Sequence, residues 1–165
     1  MGNDKATLRR YEDDLYVSGT GIMIMGLWTV VKLTMELFLG PEVKNALEAE
    51  DPASRATVMI IIVILATVLL MFVLVIHMYI GLNAVRAAKG RPYKKGYYYM
   101  AYAALVLTVA GLFTYVDSFK DPKKIDTDLA SLIVDLTTIY IFASAIISTK
   151  KIKKLKEELL RENCG

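Results

Sequence analysis

A single cysteine, Cys164, stands in 165 residues, and that scarcity excludes an internal disulfide and every multi-cysteine metal or redox motif. The local patterns that carry chemistry are missing as well: there is no nucleophile elbow, HExxH pair, P-loop or dinucleotide fingerprint. The chain is therefore expected to be no enzyme, with no catalytic residue, no metal and no cofactor. The one histidine, His77, cannot supply two axial haem ligands from one chain. Its expected role is hydrogen-bonded packing, with pH sensing as the alternative. The eight methionines lie in apolar stretches such as MIMG and LLMF, so they read as adaptable packing rather than a copper path. The opening MGNDKATLRRYEDDLY follows its basic residues with acids and aromatics instead of a short apolar core, so it is not expected to act as a secretory signal. Ala6 occupies the position where a myristoylation motif requires Ser or Thr.

What the chain has in quantity is hydrocarbon. Hydrophobic residues make up 55% of it and mean hydropathy is +0.43, well above the soluble norm. Four apolar runs each approach the roughly 20 residues that cross about 30 Å of lipid. They place spans at about 18–39, 56–82, 97–116 and 128–148. The fold expected is an all-α integral membrane protein, a four-transmembrane-helix bundle with an elongated second helix and a C-terminal helical extension.

The boundaries follow from the punctuation. Residues 1–17 carry Leu8, Tyr11 and Leu15 at helical spacing and read as a short juxtamembrane helix. Gly40 and Pro41 close the first span, and Asp51 with Pro52 opens the second. No breaker interrupts the second helix before Gly90, Arg91 and Pro92, so its last turns project beyond the lipid. Tyr97, Tyr98, Tyr99 and Tyr102 crowd the start of the third span as an aromatic belt. Ala104, Thr108, Gly111 and Tyr115 form a stripe of mostly small side chains along it. Nothing breaks the chain between the fourth span and the tail, 150–165, in which Ile152, Leu155 and Leu159 make an apolar stripe beside a lysine group.

Charge sets the orientation. Lys and Arg number three in the N-terminal segment, five in the second connection and six in the tail, against two and three in the other connections. By the positive-inside rule both termini are cytoplasmic, in a multi-pass protein of the cell membrane. The basic residues Arg86, Lys89, Arg91, Lys94, Lys95, Lys150, Lys151, Lys153 and Lys154 are expected to meet the anionic cytoplasmic leaflet or, with Ile152, Leu155 and Leu159, a partner protein or a second copy of the chain. A nucleic-acid role would lack any recognisable binding fold.

The exception to the hydrocarbon pattern is GIMIMGLWTVVKLTMELFLG, in which Lys32 and Glu36 sit inside the first span. A charge near the bilayer centre costs roughly 2.5–3.5 kcal/mol on insertion scales, so it needs a partner. Lys32 lies seven residues before Leu39 and Asp135 seven after Asp128, which puts both about 10 Å below the outer boundary. Lys32, Glu36, Asp135 and Thr138 are the expected intramembrane polar cluster, with His77, Asp117 and Tyr115 as secondary candidates. Three readings stand: a structural clamp between the first and last helices, a site that moves protons or ligand, and snorkelling of Lys32 and Glu36 toward the outer headgroups. The matching functions are an accessory or interaction subunit working through its cytoplasmic helices, or an oligomeric channel or transporter using the charged site.

Overall fold

The computed structural model describes residues 2–39, 52–115 and 125–164, and all of its regular structure is helical, with no strand among those residues. Helix α1 spans Gly2–Leu39 and α2 Pro52–Ala88. Helix α3 spans Gly96–Gly111 and continues through a 3₁₀ turn, Leu112–Thr114, before α4, Ile125–Cys164.

Residues 2–17 are continuous with the helix that follows them. From Gly2 on, α1 passes Val17 and Ser18 without a break, because nothing before Gly40 ends a helix and its internal glycines are matched by close neighbours. Helix α4 likewise runs through Thr149 and carries the tail as part of the same 40-residue rod, about 60 Å long. Its first turn is Ile125, three residues ahead of the sequence boundary.

The end of α2 is held by backbone chemistry. Gly90 takes φ +65°, its N–H donates to Ala87 O at 3.2 Å, and Arg91 N–H donates to Arg86 O at 2.9 Å. This is the Schellman pattern, in which a glycine in the left-handed region turns the chain while the last helical carbonyls keep their donors.

Helix α1 packs on α2 and α4, and α3 packs on α4 and α2, so the four form a ring in the order α2, α1, α4, α3. Helices α1 and α4 are antiparallel: Glu12 meets Lys156, Ser18 meets Ser144 and Lys32 meets Asp135. The start of α1, the end of α4 and the 89–95 connection therefore gather at one end, called proximal below.

The core is concentrated at that end. Leu15, Ile22, Ile80, Ala84, Tyr97, Ala101, Phe142, Ala145 and Ile152 belong to one buried cluster. Helices α1 and α2 cross closely: a Cβ on Gly81 would fall 2.6 Å from Gly19 O, and one on Gly26 would overlap the Cβ of His77. Small residues let two helices in lipid approach to this distance, where dispersion and weak polar contacts replace a hydrophobic drive.

The distal half is open. On α2 the side chains of Met59, Ile60, Ile61, Ile64, Leu65, Val68, Met71 and Phe72 are all exposed, and Ala66 is the buried exception. An apolar surface of that extent requires lipid or protein against it. Three helices, α1, α2 and α4, are long and apolar enough to cross a membrane. Helix α3 has 16 residues, about 24 Å, and falls below that length among the described residues.

Candidate functional site

In the distal half, three polar side chains from three elements meet. Lys32 Nζ lies 2.9 Å from Asp135 Oδ2 and donates to the Tyr115 hydroxyl at 2.6 Å. Tyr115 in turn donates to the same Asp135 oxygen at 2.6 Å. The lysine also stands 5.3 Å from the centroid of the Tyr115 ring. The Lys32 and Asp135 side chains are 19% and 21% exposed and Tyr115 is buried.

Each element delivers its member for a local reason. Lys32 and Asp135 lie on the faces that α1 and α4 turn toward each other. Tyr115 directly follows the 3₁₀ turn, Leu112–Thr114, that continues α3 beyond Gly111. The arrangement closes a triangle: the lysine gives two hydrogen bonds, the tyrosine gives one and takes one, and the carboxylate oxygen takes two. Hydrogen bonds to ionised groups are the strong ones, and in low dielectric their partners are held tightly. Chemically the triangle can hold opposite charges together between helices.

Other sequence candidates are placed differently. Thr138 is buried but donates to Val134 O of its own helix at 2.8 Å, so its hydroxyl is satisfied without the triangle. That is the i−4 back-bond open to any helical threonine, and it uses the proton that Thr138 would otherwise give to the cluster. The Glu36 side chain and all of Asp117 lie outside the described residues. His77 belongs to the proximal packing: its Nδ1–H donates to Val73 O at 2.9 Å and its ring meets Phe142 at 5.8 Å and 56°. Among the described residues no three His, Cys, Asp or Glu side chains converge as a metal site would require.

Tyr115, only a secondary candidate in the sequence, bonds to both Lys32 and Asp135. The signal was available in the 104, 108, 111, 115 stripe, whose last member reaches the depth of Lys32 and Asp135.

At the proximal end the tail is not free. Ile152, expected on a partner-facing stripe, is buried in the same core as Leu15, and Leu155 and Leu159 are half-buried. The reason is the length of α1, whose Leu8 and Tyr11 extend the core past the span and offer the tail an apolar partner within the chain. Lys156 closes the contact with Glu12 at 3.0 Å. Lys89 stands over the Tyr16 ring at 4.7 Å. Arg86, Arg91, Lys94, Lys95, Lys150, Lys151, Lys153 and Lys154 are exposed.

Comparison of the chain with protein-family models, with curated proteins and with solved structures finds no match.

Proposed function

We propose that the chain is a four-span integral membrane protein with both termini in the cytoplasm, acting as an accessory or interaction subunit through its cytoplasmic helical ends. The fourth span is α3 taken with its 3₁₀ turn: 16 residues at α pitch and three at 3₁₀ pitch give about 30 Å, the thickness of the hydrocarbon core. The bare apolar face of α2 then lies against lipid.

One observation carries the functional reading. The proximal ends of α1, α2 and α4 pack into a folded, charged head fixed by Leu15, Ala84 and Ile152 and by the Glu12–Lys156 pair. Such a head presents rigid helical surface to a second protein at little ordering cost. The distal triangle, whose Lys32, Tyr115 and Asp135 bond to one another, serves as a fastening between α1, α4 and the end of α3. Buried ionic groups of this sort fix register in some systems, and that is the role assigned here.

The test is affinity capture of the intact protein from its native membrane. A partner recovered in fixed ratio and lost from Lys153→Glu/Leu160→Glu, two exposed changes on the head, supports the reading. A second reading, an oligomeric channel or transporter, draws on the same triangle because charge at hydrocarbon depth also marks conduction paths. Flux in proteoliposomes that disappears with Lys32→Met in a folded protein selects it instead.

A further inference from the structure

The cations of the proximal end fall into two groups. Lys153, Lys154 and Lys156 are matched by acids of the chain itself, at 4.0 Å to Glu157, 3.6 Å to Glu158 and 3.0 Å to Glu12. Arg91, Lys94, Lys95, Lys150 and Lys151 are exposed and make no ion pair among the described residues.

The second group is gathered at one corner. Tyr97 OH, at the start of α3, donates to Thr149 Oγ1 at 2.9 Å, since the Thr149 hydroxyl proton is already given to Ala145 O. That contact brings the stretch carrying Lys94 and Lys95, three and two residues before Tyr97, to the stretch carrying Lys150 and Lys151, one and two residues after Thr149.

The corner is held rigid by a buried side chain. Asn83 is 5% exposed, its Nδ2 donates to Tyr79 O at 2.8 Å, and its Oδ1 accepts the N–H of Lys94 at 2.9 Å. With the glycine turn at Gly90 on one side and the edge contact of Tyr93 on Tyr97 at 5.7 Å on the other, residues 90–97 are tied at three points.

We propose that this α2–α3 corner is a binding site for the phosphate of an anionic phospholipid headgroup, built from Arg91, Lys94, Lys95, Lys150 and Lys151 and pre-shaped by Asn83. The occupant is a lipid because of where the corner lies. It sits at the junction where the apolar part of α4 gives way to its charged tail, and it carries the exposed rings of Tyr93 and Tyr99, as the headgroup layer favours. Basic residues at that level gain about 1 kcal/mol each from anionic lipid, and a fixed loop avoids the ordering cost that a free one would bear.

The inference rests on the membrane reading above, but its test needs neither a protein partner nor a known orientation. The full chain is reconstituted in nanodiscs of phosphatidylcholine with one-fifth phosphatidylglycerol, and the lipids retained after mild detergent extraction are weighed by native mass spectrometry. The expected result is retention of phosphatidylglycerol above its bulk share, falling as salt rises, with a loss of roughly fivefold per cation in Arg91→Gln/Lys94→Gln/Lys95→Gln. Asn83→Ala, which changes no charge, also weakens retention. Lys153→Gln/Lys154→Gln, already matched by Glu157 and Glu158, leaves it unchanged. Retention of both lipids in the bulk ratio by the wild type overturns the site. So does equal loss in the Lys153/Lys154 control, which would make net charge sufficient, and so does a preference for an acidic peptide over phosphatidylglycerol at equal concentration.

Discussion

Lys32 and Asp135, 103 residues apart in sequence, meet at 2.9 Å across α1 and α4, and the hydroxyl of Tyr115 hydrogen-bonds to both. The pair joins the distal half of the bundle where apolar packing is thin. The proximal half is held by a dense core and by the Gly19–Gly81 crossing.

Removing the phenol oxygen tests the third member. Tyr115→Phe deletes two hydrogen bonds to charged groups while leaving the ring, and is expected to lower stability by about 1–3 kcal/mol. A double-mutant cycle with Asp135→Asn should return a coupling of about 0.5–3 kcal/mol. Additive effects, measured by denaturant titration in micelles, would mean that the two groups act independently.

The α1–α2 crossing predicts opposite outcomes for two glycines. Gly81→Ala puts a methyl against Gly19 O and Met23, so it is expected to force the helices apart and cost about 1–3 kcal/mol, as overpacking does. Gly111→Ala meets nothing within 4 Å and should be neutral or stabilising by up to about 1 kcal/mol from helix propensity. Thermal unfolding of the two variants side by side checks the contrast.

Much of this was legible in the sequence, for reasons particular residues make plain. Length and hydrocarbon content announce α1, α2 and α4, and the lack of a breaker after Thr149 announces one rod. Lys32 and Asp135 pair by counted depth, because residue number along a helix measures height. Tyr115 was within reach of the same counting, as the last member of the 104, 108, 111, 115 stripe, whereas the back-bond that occupies Thr138 was not. The tail stripe of Ile152 was visible, yet not its occupant, since that occupant is the far end of α1 and only tertiary packing brings them together.

Asn83→Ala is expected to free residues 90–95 without unfolding the bundle. It strips the Lys94 N–H of its acceptor and removes a buried hydrogen-bonding side chain, a loss of about 1–3 kcal/mol. Hydrogen exchange should speed at Lys94 and its neighbours while the α1 and α4 cores keep their protection. Faster exchange throughout would show a global role instead.

Orientation is read by impermeant maleimide on intact cells, with Cys164→Ser as background for added cysteines. Glu48→Cys and Asp121→Cys are expected to label from outside, and Tyr93→Cys only after permeabilisation. The native Cys164 should behave like Tyr93→Cys. Labelling of Tyr93→Cys and Glu48→Cys from the same side would remove a span between them.

The measurement that bears most directly on the account is the stability of Lys32→Met compared with Lys32→Met/Asp135→Leu, followed together with flux in proteoliposomes. A structural fastening predicts that the single change destabilises by about 2–4 kcal/mol because it leaves a carboxylate unpaired in hydrocarbon, and that the second change restores most of the loss. Single and double variants of wild-type stability that abolish an ion or proton flux would contradict the account and make the triangle a conducting site.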